Sequence, residues 1–182
     1  MAHSKSDENA PFIIRQPHVD DGSGIWRVVK ESGSLDPNSS YLYLLLAKDF
    51  SDTCVVAESD GEIVGFVSGY RPPMRREVAF LWQVGLLPSM QGRGLGKRLV
   101  LGFLGSLGAR GATVLETTVA PSNTASRALF LAIARQLGAE CHVSPCFSAH
   151  MFPEGGHEDE ELYRIGPLPQ PANSRRPLDL HD

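Results

Sequence analysis

No stretch of the 182-residue chain approaches the roughly 20 consecutive apolar residues that a bilayer-spanning helix requires. No block of lysine and arginine is present either. Seventeen basic against 21 acidic side chains give a net charge of −4, which argues against a nucleic-acid surface. Cysteine is scarce: Cys54, Cys141 and Cys146 lack metal-ligand spacing, and an odd count does not suggest a disulfide framework. The segment from Met1 to Asn9 lacks the apolar core of a signal peptide. These absences predict a reduced, cytoplasmic protein with no metal, no membrane and no nucleic acid among its partners.

What is present is ordinary globular composition, 42% apolar and 21% charged, in a length that suits one domain with a real core. Residues 1–11 are polar and read as a disordered N-terminus. Residues 12–168 carry all the periodic segments, and 169–182 read as a proline-rich, charged, flexible tail.

Within that domain, Phe12–Arg15 reads as a first strand. Asp20 or Asp21 can cap a helix carrying Ile25, Trp26, Val28 and Val29. Asp36-Pro37 has the form of an N-cap followed by proline at the first helical position, which predicts a helix over about Asn38–Lys48. Thr53–Glu58 and Glu62–Tyr70 flank Asp60-Gly61, a strong hairpin signal. The nearly unbroken apolar run Val78–Leu87 predicts a central strand buried on both faces. A helix follows over Lys97–Arg110 and presents Leu99, Phe103, Leu104 and Leu107. Then come a strand over Thr113–Val119 and a helix capped by Asn123 that ends at Gly138. Residues 140–151 and 161–166 are two further strand candidates around an acidic loop, 155–161, that contains His157 and Glu158. The order β-α-α-β-β-β-α-β-α-β-β is mixed α/β.

The most informative segment is Gln91-Gly92-Arg93-Gly94-Leu95-Gly96-Lys97, placed between the central strand and a helix. Backbone N–H groups at a helix N-terminus make a ready anion site, and glycine allows a phosphate to approach closely. A Walker loop requires Gly-x-x-x-x-Gly-Lys-Ser/Thr, but Gly92 to Gly96 is one residue short and Arg98 stands where the hydroxyl belongs. A dinucleotide fingerprint requires Gly-x-Gly-x-x-Gly, and Lys97 occupies its third glycine. Both nucleotide readings fail on spacing.

Gln91, Gly94 and Gly96, with Pro88 three residues ahead, fit Gln/Arg-x-x-Gly-x-Gly. This resembles the acetyl-CoA loop of the GNAT superfamily of N-acetyltransferases, and the element order matches that fold. The segments Leu35–Tyr43, Phe80–Val84, Leu115–Asn123 and Glu161–Ile165 more closely resemble the diaminobutyrate N4-acetyltransferases, the acetylating family of ectoine synthesis. The resemblance spans about Phe12 to Leu168. It implies the GNAT acyl-CoA N-acyltransferase fold, a mixed central sheet flanked by helices. It also implies acetyl-CoA as co-substrate, a small diamino acid as acceptor and a homodimer. Acetylation of another small amine, or a non-catalytic acetyl-CoA-binding module, are the competing readings.

Family resemblance further implies that Val84 and Leu86 hydrogen-bond the cofactor's pantetheine arm. Gln91, Gly92, Arg93, Gly94, Leu95, Gly96 and Lys97 would hold its pyrophosphate, and Asn123 would touch the arm. Arg93 and Lys97 can equally be solvated, and Asn123 can equally be a plain cap. For the cationic acceptor, Asp36 and Tyr41 are the substrate-binding candidates, with Trp82 and Thr117 lining the site. Asp36 can equally be a cap, and Trp82 a core residue. Glu116 is the candidate general base, with a salt-bridged Glu116 as its bland counterpart. Many family members carry a tyrosine that protonates the departing thiolate. Phe130 occupies that segment here, leaving Tyr41, Tyr43, a water or no acid at all.

Overall fold

The computed structural model describes residues 12–33, 35–108, 111–153 and 155–169. The expectations for residues 1–11 and 170–182, for the end of the third helix at Arg110 and for the Leu107 side chain lie outside the described residues. Seven strands, β1 (Ile13–Arg15), β2 (Cys54–Ser59), β3 (Glu62–Tyr70), β4 (Val78–Leu86), β5 (Val114–Val119), β6 (Glu140–Phe147) and β7 (Glu160–Gly166), form one sheet. Its order is β1-β2-β3-β4-β5-β7-β6, antiparallel except for the parallel β4–β5 pair. Helices α1 (Gly22–Ser32) and α2 (Ser40–Asp49) cover one face, and α3 (Leu95–Gly108) and α4 (Thr124–Leu137) the other. The predicted element order is therefore the observed one.

Two apolar cores follow from this layering. Leu99, Val100 and Phe103 of α3 and Phe130 and Ile133 of α4 pack on Val67, Leu81, Leu115 and Ile165. On the opposite face, Ile25, Val28 and Val29 of α1 meet Tyr43, Val56, Ile63 and Phe66. The β2–β3 hairpin closes through Asp60 (φ 52°) and Gly61 (φ 80°), the left-handed pair that a two-residue turn demands.

Three local expectations are corrected. Asp21 occupies the N-cap position of α1 without a side-chain cap bond, because Arg15 claims both carboxylate oxygens at 2.6 and 2.9 Å. Helix α2 starts at Ser40 and not at Asn38. Ser39 caps it by accepting from the Tyr41 N–H, so Asp36 is no cap and Pro37 is not its first residue. Smaller shifts occur elsewhere: α3 begins two residues early at Leu95, and β6 stops at Phe147, before a 3-10 turn at Ala149–Met151.

The central strand departs most informatively from its prediction. It is not buried on both faces, since Trp82 is 39% exposed and Phe80, Val84 and Leu86 are half-buried. Its register with β3 passes from Ser68↔Gln83 to Gly69↔Leu81, leaving Trp82 as the extra residue of a β-bulge. Gly69 makes this possible: a Cβ there would lie 2.4 Å from the Phe80 carbonyl oxygen. Below the bulge, β4 pairs with β5 at Val78, Ala79 and Phe80. No β4–β5 partner is assigned from Leu81 to Leu86. The two strands splay apart.

Candidate active site

The splay creates the site. A cavity of about 330 Å³ lies between the separated strands, lined by Leu81–Val84 of β4, Thr117–Val119 of β5, and Asn123, Ser126 and Phe130 at the start of α4. A second cavity of about 590 Å³ adjoins it over Tyr70, Phe80, Glu116 and Leu162. Asp36, Trp82, Thr118, His157 and Glu160 line both, so these five residues mark the junction.

The elements explain who arrives there. With α2 capped by Ser39, the Asp36 carboxylate is released to the cavities. Asn38 donates from Nδ2 to the Asp36 carbonyl (3.3 Å) and to Tyr43 Oη (3.4 Å). Tyr43 Oη in turn donates to Gln83 Oε1 at 3.3 Å, tying the loop that carries Asp36 to β4. Trp82 owes its exposure to the bulge, which pushes it out of the pleat. At the opposite side, Glu158 accepts from the backbone N–H (3.2 Å) and hydroxyl of Ser122, and His157 stacks on Phe152 with centroids 4.5 Å apart. The acidic loop is thereby fixed over the junction.

Electrostatics single out Glu160. Burial pushes its carboxyl above the usual glutamate range, and the nearby Asp36 and Glu158 charges push the same way. A hydrogen bond with Thr118 and the charge of His157 oppose the shift only in part. Glu116 is different: it is 2% exposed and wedged between two arginines. Arg75 Nη1 donates to both of its oxygens at 2.9 and 2.8 Å, and Arg164 Nη1 donates to Oε1. With its lone pairs engaged this way, Glu116 has the ion-paired form and not that of a free base. Burial also raises the Cys146 thiol, at the edge of the larger cavity, away from the thiolate form.

Other expected site residues divide cleanly. Asp36, Trp82, Thr117, Val84 and Asn123 meet at the smaller cavity. Asn123 does cap α4, accepting from the Ser126 N–H at 3.0 Å, and this engages only Oδ1. Tyr41 is not brought in: it stands in the first turn of α2, 65% exposed, and lines neither cavity. Tyr43 is fully buried behind Gln83. Phe130, where a phenol was sought, is itself buried at the smaller cavity. Glu160, Arg75 and Tyr70 were missed. Glu160 lies inside the acidic loop 155–161, where nothing in the sequence sets it apart from its acidic neighbours, and no spacing signal marks Arg75.

The glycine loop lies beyond the cavities, where β4 ends and α3 begins. Gly92 (φ 72°) and Gly94 (φ 76°) are left-handed, with open space where a Cβ would go. The first helical bond runs from the Arg98 N–H to the Gly94 carbonyl at 3.2 Å, so the amides of Leu95, Gly96 and Lys97 have no partner within the helix. The Leu95 side chain itself is in the core, leaving only its backbone for a ligand. Gln91 and Arg93 are exposed, Lys97 is half-buried, and Arg93 Nη1 also contacts Met90 Sδ at 3.5 Å. Unpaired strand backbone running up to a helix N-terminus suits an extended molecule ending in a pyrophosphate, which is the shape of acyl-CoA.

Comparison with known proteins gives the same direction. The family model of the GNAT acetyltransferases matches residues 24–134. The L-2,4-diaminobutyric acid acetyltransferase of Nocardia farcinica is 46% identical over 91% of this chain and 85% of its own length. That of Shouchella clausii is 43% identical over 86% and 88%. Among solved structures, the diaminobutyrate acetyltransferase from Paenibacillus lautus, in complex with its substrate L-2,4-diaminobutyric acid and coenzyme A, superposes with a TM-score of 0.84. It is 41% identical and is covered to 99%, against 90% of this chain. The ribosomal-protein-S18-alanine N-acetyltransferase from Escherichia coli, at 19% identity and a TM-score of 0.66, shares the fold. Splayed strands, a glycine turn at a helix N-terminus and these relatives agree: the chain belongs to the GNAT acetyltransferases and, among them, to the L-2,4-diaminobutyric acid acetyltransferase family.

Proposed function

We propose that this enzyme transfers the acetyl group of acetyl-CoA to the 4-amino group of L-2,4-diaminobutyrate, giving N4-acetyl-2,4-diaminobutyrate. The observation that carries the reading is the acidic junction. Asp36 and Glu160 converge where the cavity beside the splayed strands meets the larger one, which suits an acceptor that arrives as an ammonium. The family of relatives supplies the identity of that acceptor. The product is a step of ectoine synthesis, made under osmotic stress in the cytoplasm by a homodimer.

Each residue then has a task. Acetyl-CoA, when bound, supplies an acetyl group activated as a thioester. Val84 and Leu86 offer backbone groups to its extended arm, and an N–H of this stretch donates to the carbonyl oxygen as charge develops there. Gly92 to Lys97 receive the pyrophosphate, with Arg93 and Lys97 adding positive charge. Asn123 offers Nδ2 to the arm. Trp82 forms an apolar wall for the acceptor's methylenes, and Asp36 attracts its ammonium group. Thr117 closes the floor on β5.

An alkylamine is protonated at neutral pH and must lose a proton before attack. Glu160, at the junction and with a raised pKa, accepts it better than an ordinary carboxylate would. This moves the base assigned to Glu116 onto β7. Among the described residues no tyrosine lines the smaller cavity. A free thiol has a pKa of about 8.5, so departure as thiolate needs no phenol.

Thiol release from acetyl-CoA with L-2,4-diaminobutyrate, followed by NMR of the product, tests the reading. N4-acetyl product is expected. Turnover of putrescine or ornithine at a comparable rate, or acetyl on the α-nitrogen, would refute it. The loop makes its own prediction. Gly94→Val puts a β-branched residue at φ 76°, where a Cβ itself meets open space, and the loop sheds about 1–3 kcal/mol of strain by leaving the phosphate-binding geometry. The KM for acetyl-CoA should rise roughly tenfold or more, as 1.4 kcal/mol is a factor of ten, while kcat at saturating cofactor changes little.

A further inference from the structure

The larger cavity has two chemically distinct ends. One end is the junction, shared with the smaller cavity, where Asp36 and Glu160 supply negative charge. The other end is not shared. There Arg75 and Glu116 lie beside Tyr70 and Phe80, whose rings sit 5.1 Å apart. Arg75 is the one arginine among the described residues lining this cavity; Arg164, the second partner of Glu116, is not part of the wall.

Arg75 is held on both sides. Its backbone closes two turns, donating to the Pro72 carbonyl at 3.0 Å and accepting from the Val78 N–H at 2.9 Å. Its Nη1 is fastened to both oxygens of the buried Glu116. Glu116 in turn is fixed in a cross-strand row with Phe80 and Arg164. The side chain is nonetheless half exposed, so the guanidinium edge away from Glu116 remains available to a ligand. A guanidinium offers five donors in a planar fork, and Nη1 uses only part of them.

We infer that Arg75 binds the α-carboxylate of the amino-acid acceptor and thereby selects which of its two amines reacts. The inference rests on the diaminobutyrate reading and deepens it. Carboxylate and α-ammonium share one carbon, so anchoring the carboxylate at Arg75 keeps the α-nitrogen at that end. The methylene chain then runs along Trp82, and the 4-amino group reaches the junction with Glu160. Among the described residues lining this cavity, Arg75 is the one arginine, and so the one fixed cation that can tell the carboxylate-bearing end of the acceptor from the other.

The test pairs the enzyme with and without Arg75 against a substrate with and without its carboxylate. The probes are L-2,4-diaminobutyrate and 1,3-diaminopropane, which is the same diamine lacking the carboxylate. Arg75→Ala should lower kcat/KM for the diamino acid roughly 10- to 100-fold, the range of a lost charged hydrogen bond, and mostly through KM. Its rate with 1,3-diaminopropane should be unchanged, and Arg75→Lys should recover part of the loss. NMR of the Arg75→Ala product should also show a fraction of α-acetylated compound. An equal loss on both substrates would overturn the inference, because it would mean that Arg75 acts only by supporting Glu116. Wild-type enzyme equally efficient on both substrates would overturn it too, by showing no use of the carboxylate. Wild-type enzyme inert towards the diamino acid defeats the functional reading itself, a separable outcome.

Discussion

Glu160→Gln is expected to lower kcat roughly 10²- to 10⁴-fold, the usual contribution of a positioned general base, with a smaller rise in the KM for the diamino acid, as one of the two junction charges is lost, and little change in the KM for acetyl-CoA. The substitution keeps the side chain's shape and its reach to Thr118 but removes the proton acceptor. The pH profile separates this from simple misplacement. Burial raises the Glu160 pKa, and a base works only when deprotonated. Wild-type activity should therefore fall as pH drops through a value above the ordinary glutamate range. The variant should lose that limb. Stability supplies an independent sign. In the native state Glu160 holds its proton more tightly than in the unfolded chain. Its contribution is therefore fully present below the unfolded value of about 4.3 and is lost as pH rises through the raised native one. A neutral glutamine has no such cost, so the variant should melt at or above the wild-type temperature at neutral pH. A variant that keeps kcat, or an acid limb that survives the substitution, sinks the assignment.

Much of the fold was legible because its signals are local. The Asp60-Gly61 turn requires two left-handed residues, and both are found. The Asn123 cap and the Gly138 stop depend only on their own helix, and both hold. Where a signal had a rival partner elsewhere in the chain, it failed. Asp21 has the chemistry of a cap, but Arg15 of β1 takes its carboxylate. Asp36-Pro37 has the form of a helix start, yet Ser39 supplies the cap three residues on. A one-dimensional pattern cannot weigh a partner that only the fold brings near.

The site was half legible for the same reason. The glycine loop works through its own backbone, so its spacing carries its meaning. The cleft beside it comes from a bulge at Trp82 that depends on Gly69 in another strand. An apolar run from Val78 to Leu87 reads as a two-sided buried strand whether or not its neighbour splays away. The junction is assembled from the loop after α1, from β4, β5 and β7, and from the acidic loop. The acidic loop brings His157 to that junction, and Glu158 fastens it to Ser122.

Replacing Glu116 should separate an anchor from a base. The carboxylate is buried, but its two arginine partners are about half exposed, at 50% and 44%. Removing one member of a fully buried pair costs about 3–5 kcal/mol because a charge is stranded. Here the arginines can turn towards water, so Glu116→Ala should cost less, about 2–3 kcal/mol. For a chain of this length that is a fall of roughly 5–10 °C in Tm. Glu116→Gln keeps the volume and one acceptor oxygen and should lose less. High salt should narrow the difference between wild type and variant, as half-exposed charges are screened. In catalysis, Glu116→Gln should retain the acid limb of the pH profile and most of kcat. What it should change is the KM for L-2,4-diaminobutyrate, because Arg75 loses the group that aims it. A collapse of kcat together with that limb would instead restore Glu116 as the base and leave Glu160 as a binding group for the ammonium.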